Sequence, residues 1–302
     1  MRLPSSVAIA VLLTSCAPSS PDATSNSLVI KGSDTEVQLV SNLAEAFAET
    51  HADLDLSVTG GGSATGIASL LNGEIDLANS SRPLSEEERA QATDRGLSVV
   101  EFILARDGLS VIVHPDNPIE SLTMAQVASL YSGDATDWSD VGGPSDSVVL
   151  YGRQSTSGTF GFFRDAVVKD DYSPEMRNME GSQAIVEAVK NDPNGIGYVG
   201  VGYVKDGDGN ALDGIKIIPI MADAGSDPVS PLDREAVLAG RYPISRPIYQ
   251  YLPSAPEPGS AVESFLQFES SAEGQIIVEA AGFYPVTQQD AAANRAALPS
   301  IE

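Results

Sequence analysis

Short apolar strands alternate with helix-like segments along most of this chain, and that alternation is the strongest limit on its fold. Residues 28–32 show the strand pattern, and apolar residues at helical spacing follow in residues 37–47. The same order recurs along the chain without a repeat of fixed period. The pattern therefore favours an α/β protein in which helices flank mixed sheets.

Four polar clusters directly follow predicted strands. Ligands of open α/β sheets collect beyond the carboxyl ends of the strands, so clusters that share this position predict one composite binding site. The clusters are Gly32-Ser33-Asp34-Thr35, the glycine-rich residues 60–66, Asn79-Ser80-Ser81-Arg82-Pro83, and Arg153 with Ser157-Gly158-Thr159.

The fourth cluster indicates the chemistry of the site. An apolar strand over residues 148–150 precedes it, and Phe160, Phe162 and Phe163 can line one face of a helix after it. A helix start leaves backbone N–H groups without partners and carries partial positive charge. Arg153 adds a guanidinium fork, which suits a tetrahedral oxyanion. We therefore hypothesise an oxyanion site, and the alternative is a surface arginine beside an ordinary helix cap.

The N-terminal residues predict export and attachment to a membrane. Residues 1–15 contain one arginine and an apolar run too short to span a bilayer, which is typical of a secretory signal peptide. Leu13-Thr14-Ser15-Cys16 resembles the lipobox of bacterial lipoproteins, in which the cysteine is acylated. We expect lipid attachment at Cys16 and a flexible tether over residues 16–27, with an unmodified cysteine as the alternative.

The composition is strongly acidic, with 42 acidic and 17 basic residues and a formal net charge of -25. Nucleic acids and anionic lipids would be repelled by such a chain, so neither is an expected partner. Salt screens the repulsion beyond about 8 Å, so a local group of donors can still bind an anion. Cys16 is the only cysteine, which excludes an intrachain disulfide.

Sequence motifs for nucleotide, metal and nucleophilic chemistry are incomplete. Residues 60–66 contain the spacing of a phosphate-binding P-loop, but Ile67-Ala68 stands where lysine and a hydroxyl residue are required. Neither Ser63 nor Ser157 lies in a complete Gly-x-Ser-x-Gly motif. A calcium-like Asp-x-Asp-x-Asn sequence lacks the glycine and glutamate of a calcium loop. We expect no cofactor, no metal and no catalysis, with an exported phosphatase or esterase using Ser63 or Ser157 as the alternative.

At these clusters the chain resembles the phosphate-binding proteins of phosphate-specific ABC transporters, the PstS family of type II periplasmic binding proteins. The resemblance runs from about residue 28 to residue 286 and includes Gly195-Ile196-Gly197-Tyr198. It implies an α/β fold of two lobes joined by two hinge crossings, with the anion in the cleft between them. Lobe 1 would comprise residues 28–107 and 247–302, and lobe 2 would comprise residues 108–246.

The resemblance also implies which residues bind the anion. Arg153 would make the main charge-assisted contacts, and Arg82 would add a second charged clamp. Well-known members carry an aspartate at the place of Ser81, where it accepts the proton of hydrogen phosphate. Ser81 can still accept a proton but cannot repel a fully deprotonated anion as a carboxylate would. The remaining donors would be Thr35, the amide of Glu36, Ser63, Ser157, Gly158 and Thr159.

The implied function is that of a lipid-anchored binding protein in the periplasm or at the surface of a bacterial cell. It would capture inorganic phosphate, deliver it to an ABC permease, and act as a monomer. Phosphate is the first choice of ligand, with sulfate, arsenate or another tetrahedral oxyanion as alternatives. A phosphate sensor or adhesin that kept the binding fold is a further alternative.

Overall fold

A computed structural model describes residues 27–206 and 209–300 of the chain. The first of two five-stranded sheets has parallel strands on one side and antiparallel strands on the other. Its strands are β1 (Ser27–Gly32), β2 (Asp55–Thr59), β3 (Leu77–Ser80), β4 (Val100–Gly108) and β12 (Ser245–Leu252). Their order is β2-β1-β3-β12-β4, so β12, which comes last along the chain, lies between β3 and β4.

The second sheet is built from the middle of the chain. Its strands are β5 (Ser110–Val113), β7 (Val149–Arg153), β8 (Arg177–Met179), β9 (Gly195–Val199) and β10 (Lys216–Ile218). Their order is β10-β5-β9-β7-β8, with β7 parallel to both of its neighbours and β5 antiparallel to both of its own. A separate parallel pair is formed by β6 (Leu122–Thr123) and β11 (Ile220–Met221).

Helices connect the strands and cover the sheets. They are α1 (Val37–Ala48), α2 (Ser63–Leu71), α3 (Glu86–Asp94), α4 (Met124–Ser132), α5 (Gly158–Phe163), α6 (Ser182–Lys190), α7 (Arg234–Leu238), α8 (Ala261–Ser270), α9 (Ala272–Ala280) and α10 (Gln288–Ala297). α1 packs on β2, α2 packs on β1 and β3, and α6 packs on β9. A π-helical turn, Arg164–Val168, extends α5. These contacts hold the starts of α1, α2 and α5 beside the ends of strands.

The chain passes between the two sheets twice within the described residues. The first passage follows β4 directly, and the second leads from β11 to β12. The α/β class and the two-sheet arrangement predicted for this chain are confirmed. The lobe boundaries near residues 107 and 247 stay a prediction.

Two local features depend on contacts that are not visible in the apolar pattern. Residues 105–108 complete β4 because they pair with β12. After residue 286, α10 begins because Thr287 and Asp290 form a reciprocal capping box. The predicted signal peptide and the lipid site at Cys16 lie outside the described residues.

Each sheet has a hydrophobic core of its own. In the second core the rings of Phe163 and Tyr198 stack with centroids 4.0 Å apart, and Tyr131 meets both rings edge-on. In the first core Phe47 of α1 meets Phe265 of α8 at 5.3 Å. Separate cores give each half its own rigid framework for the residues that face the other half.

A group of polar side chains is buried inside the first half. Asn79, Gln250 and Glu269 are each 0% exposed. The Gln250 amide nitrogen donates to Oδ1 of Asn79 at 3.2 Å and to Oε1 of Glu269 at 3.1 Å. Burial raises the pKa of Glu269 well above its ordinary value, and the Gln250 hydrogen bond only partly opposes that rise. We therefore expect Glu269 to keep its proton above the ordinary pKa of a glutamate.

Replacing Gly66 by alanine is expected to destabilise the fold. A Cβ at this position would lie 2.4 Å from the carbonyl oxygen of Lys31 and 2.6 Å from Cα of Gly32. Alanine in a helix usually stabilises by about 1 kcal/mol, but this backbone clash reverses the sign. We expect Gly66→Ala to lower the free energy of unfolding in urea by about 1 to 3 kcal/mol. Gly161→Ala is the control, because its Cβ would meet only the side chain of Arg82, and equal losses would contradict the prediction.

The protonation of Glu269 predicts how stability changes with pH. An unfolded glutamate has a pKa of 4.5, and the folded value is higher, so the folded chain retains a proton that the unfolded chain releases. Stability from this group is thus complete below the unfolded pKa and declines as the pH rises through the interval up to the folded pKa. Because glutamine does not ionise, the melting temperature of Glu269→Gln should fall less between about pH 5 and about pH 8 than that of the wild type. Exposed Glu273→Gln is the control and should follow the wild type.

Candidate functional site

Five buried hydroxyl groups meet where the ends of β1 and β3 face the starts of α2 and α5. We call Ser33, Thr35, Ser63, Ser81 and Thr159 the hydroxyl cluster, and each is at most 2% exposed. Oγ1 of Thr35 lies 2.8 Å from Oγ1 of Thr159. Oγ of Ser81 lies 3.0 Å from Ser33, 3.4 Å from Ser63 and 3.3 Å from Thr159. The structure thus brings four predicted ligands together and adds Ser33.

The hydroxyl cluster joins the two halves of the molecule. Thr159 belongs to the half built on the second sheet, whereas its partner Thr35 follows β1 of the first sheet. The amide of Ala64 also donates across the boundary, to the carbonyl oxygen of Thr156 at 3.1 Å. Gly158 permits this approach, because a Cβ there would lie 2.2 Å from Oγ of Ser63. The structure is therefore that of a closed cleft.

Arg246 on β12 reaches into this cluster and was missed by the sequence reasoning. Its Nη2 donates to Oγ1 of Thr159 at 3.0 Å, and its Nη1 donates to the carbonyl oxygen of Ser81 at 2.8 Å. Nε and Nη2 also donate to Oδ2 of Asp107 at 3.0 and 2.8 Å. Arg246 is 1% exposed and Asp107 is 0% exposed. The available sequence signal was a charged residue in an otherwise apolar strand predicted to cross between lobes.

Arg153 lies buried at the end of β7, as a ligand-binding arginine would require, but it already has an acidic partner. Its Nη2 donates to Oδ2 of Asp34 at 2.5 Å, and its Nη1 donates to Ser182 at 3.2 Å. Its Nε is buried and has no hydrogen-bond partner among the described residues. Asp34 is held in turn by the amide of Gly61, at 2.7 Å from Oδ1. Arg153 therefore links the two halves and retains its Nε donor for a ligand.

Arg82 is held away from the hydroxyl cluster. Its two terminal nitrogens donate to the two carboxylate oxygens of Glu88 on α3, each at 2.7 Å. Burial alone would raise the pKa of Glu88, but the hydrogen bonds from Arg82 and from Ser85 outweigh it and lower that pKa. Arg82 does line one cavity together with Ser157, and its role as a second clamp stays a prediction.

The remaining predicted ligands lie at helix starts. Ser157 precedes α5 and is 3% exposed, and its Oγ accepts from the amide of Phe160 at 3.4 Å. Glu36 precedes α1, and its amide lies 3.4 Å from the carbonyl oxygen of Ser33. In the chain, Glu36 directly follows Thr35, and Ser157 lies two residues before Thr159. Their backbone groups are therefore near the hydroxyl cluster, and their role as ligands stays a prediction.

A cavity of about 770 Å³ opens beside the cluster, between the two halves. Ser157 and Arg246 line it, and Phe160, Phe162 and Tyr249 supply most of its aromatic surface. The ring of Phe162 lies 5.1 Å from the guanidinium carbon of Arg246. A cavity of this size accommodates a small ligand. Arg246 belongs to this lining and also donates to Thr159, so it connects the cavity with the hydroxyl cluster.

Asp107→Asn is expected to destabilise the protein strongly, because it leaves the buried charge of Arg246 without its counter-ion. Breaking one partner of a buried ion pair costs about 3 to 5 kcal/mol, and we expect a loss in that range in urea unfolding. The control is Asp165→Asn, which breaks a pair with Arg164 whose side chains are 68% and 45% exposed. Exposed pairs contribute little, so a loss no larger than that of the control would contradict the prediction.

The sequence of this chain is similar to those of known proteins over most of its length. A family model of the PBP superfamily domain matches residues 17–273. The phosphate-binding protein PstS of Pseudomonas aeruginosa is 32% identical over 278 residues, which cover 87% of this chain and 84% of the relative. PstS of Staphylococcus saprophyticus is 29% identical over 275 residues, which cover 89% and 83%.

A solved structure extends this similarity to three dimensions. A Clostridium perfringens substrate-binding protein with bound phosphate matches with a TM-score of 0.75 and 28% identity, over 86% of this chain and all of that one. The family match covers most of this chain, and the relatives are matched over most of their length. This chain therefore belongs to the PstS family of phosphate-binding proteins, within the PBP superfamily.

Proposed function

We propose that this protein binds inorganic phosphate in the closed cleft and delivers it to an ABC permease. The observation that carries the proposal is the buried hydroxyl cluster, which is made by both halves and is adjoined by Arg246. Hydroxyls that give up their mutual hydrogen bonds can donate to a partner rich in acceptors, and a tetrahedral oxyanion offers four oxygens. Its P. aeruginosa relative is a phosphate-binding protein by name, and its C. perfringens relative was solved with bound phosphate.

The proposed ligands are the predicted residues together with Arg246. Thr35, Ser63, Ser81 and Thr159 would exchange the hydrogen bonds among themselves for bonds to phosphate oxygens. Because those bonds already satisfy the hydroxyls, a ligand must open the cleft before it enters. The other proposed contacts come from the Glu36 amide, Arg153, Ser157 and Gly158, and from Arg82 after release from Glu88.

The arginines at the site are neutralised by acidic partners, so net positive charge would not drive binding. Arg153 and Arg246 are each paired with one carboxylate, Asp34 and Asp107, so the two ion pairs bring no net charge. Binding strength would then come from neutral donors and from arginine nitrogens with unused capacity, such as Nε of Arg153. A buried donor left unpaired costs about 1 to 3 kcal/mol, which favours ligands that match the donors in number and direction.

Transport also requires export, an anchor and a permease. The proposed signal peptide, the lipid on Cys16 and most of the tether lie outside the described residues. Within the described part of the chain, no helix has the length and apolar character needed to cross a membrane. We propose a monomer in the periplasm or at the cell surface, anchored through Cys16.

The structure weighs against the hydrolase alternative. Oγ of Ser63 has serine neighbours, and Oγ of Ser157 accepts from a backbone amide. The two histidines make contacts elsewhere: His51 stacks on Phe47 with ring centroids 3.9 Å apart, and His114 accepts from the amide of Asp116. Neither serine therefore has the adjacent base that nucleophilic catalysis requires.

Calorimetric titration of the purified mature protein with phosphate tests the proposed function. We expect Arg153→Ala to weaken phosphate binding by more than about tenfold, because a hydrogen bond to a charged group contributes about 1.5 to 3 kcal/mol. Arg177→Ala is the control, since this arginine is exposed and lies on β8 of the same sheet. Unchanged affinity in Arg153→Ala would remove Arg153 from the site. No heat with phosphate at millimolar concentration would reject phosphate as the ligand.

A further inference from the structure

The side chain of Glu36 is buried directly behind the hydroxyl cluster without an evident role. It is 0% exposed, and neither carboxyl oxygen has a hydrogen-bond partner of ordinary geometry among the described residues. An acid buried in this way is costly, because it loses its hydration without replacement. Its backbone amide adjoins the proposed phosphate site, so the side chain is close enough to influence a bound anion.

The groups that face Glu36 come from several elements. Burial raises the pKa of Glu36 well above its ordinary value, while the nearby hydroxyl of Ser33 and the charge of Arg246 lower it. The charges of Glu269 on α8 and Asp107 on β4 raise it. Tyr203 also lies within range of its charge. Burial is the largest of these influences, so Glu36 holds a proton at pH values where an exposed glutamate has lost it.

A chain of hydroxyls leads from Glu36 to the site. The hydroxyl of Ser33 donates to Oγ of Ser81 at 3.0 Å. A serine hydroxyl has one proton, and Ser33 uses that proton in its bond to Ser81. The Ser33 oxygen can therefore only accept a hydrogen bond from any other neighbour. A protonated Glu36 can donate to that free acceptor. Ser81 then receives a bond from Ser33 and keeps its own proton for Thr159, Ser63 or a ligand.

We propose that the side chain of Glu36 sets the direction of the Ser33–Ser81 hydrogen bond and so selects which oxyanions the site accepts. The inference rests on the proposed function. With a proton on Glu36, Ser81 is a donor, and the site accepts an oxygen that carries no proton. When Glu36 releases its proton to solvent, the carboxylate accepts from Ser33, Ser33 accepts from Ser81, and Ser81 accepts the P–OH proton of hydrogen phosphate.

The two states differ most for sulfate. Sulfate has no proton at neutral pH, so it satisfies Ser81 only while Ser81 donates. Loss of the Glu36 proton turns Ser81 from a donor into an acceptor toward the ligand. It also adds a negative charge behind the anion, and both changes oppose sulfate binding. Hydrogen phosphate suffers the same repulsion but gains a partner for its proton. The ratio of phosphate affinity to sulfate affinity therefore rises with pH.

The test measures sulfate and phosphate binding by calorimetry from about pH 5 to about pH 10, with phosphate affinity expressed per HPO4 dianion. In the wild type, sulfate affinity should fall by at least about tenfold over this range, and the affinity for the phosphate dianion should fall less. Glu36→Gln cannot ionise and retains an N–H donor for Ser33, so its sulfate affinity should stay constant. Glu273→Gln is the control, because this exposed acid is remote from the charges that act on Glu36, and it should keep the wild-type profile.

Three results would overturn the inference while phosphate binding stands. They are the same pH profile in the wild type and Glu36→Gln, no sulfate binding at any pH, and loss of the wild-type profile in Glu273→Gln. If Glu36→Gln does not fold, proton uptake on sulfate binding to the wild type decides, measured in buffers of different ionisation enthalpy. Uptake within this pH range supports the inference, because a bound anion favours the protonated acid, and no uptake at any pH in the range contradicts it. Failure of phosphate itself to bind would instead reject the proposed function.

Discussion

The buried ion pair between Arg246 and Asp107 is the contact on which the rest of the site depends. Asp107 lies on β4 and Arg246 on the adjacent strand β12, so the pair is fixed within the first sheet. From there the guanidinium reaches the carbonyl of Ser81 and the hydroxyl of Thr159, which belongs to the other half. Asp107 also accepts from the amide of Val201 at 2.8 Å, just after β9. One carboxylate thus orients an arginine and holds part of the second half at the same time.

Neutralised arginines explain how an acidic protein can bind an anion without a basic surface. With a net charge of -25, an exposed patch of arginines would form ion pairs with the many acids of the surface. Here Arg153 and Arg246 are each 1% exposed, and each has a fixed acidic partner. Donor geometry rather than net positive charge then decides which anion is bound. Because the donors come from both halves, the same contacts that would select the ligand also close the cleft.

The sequence predicted most of the fold because its information is local. Strands and helices follow from apolar spacing, and β1 and α1 appear where the pattern indicates. The pattern does not show that residues 105–108 belong to β4, since pairing with the distant β12 extends that strand. Nor does it show the contact between Arg246 and Asp107, which are 139 residues apart and meet only after β12 enters the sheet. The polar clusters at helix starts were visible in the sequence. The acidic partners that neutralise Arg153 and hold Arg82 in place were not.

The burial of Glu36 shows why the same residue can have two separate roles. Its amide is near the site because any residue at the start of α1 would be there. Its side chain, in contrast, lies among Ser33, Arg246 and Glu269, where a neutral apolar residue would be easier to accommodate. A carboxyl group at this position can exchange a proton with the chain of hydroxyls, which an apolar side chain cannot do. Because Ser81 is itself uncharged, a buried acid one hydroxyl further back supplies a proton acceptor to the site only when it ionises. Selectivity between proton-bearing and proton-free oxyanions would then depend on pH, whereas an aspartate in direct contact with the ligand would impose it at every pH at which that aspartate is charged.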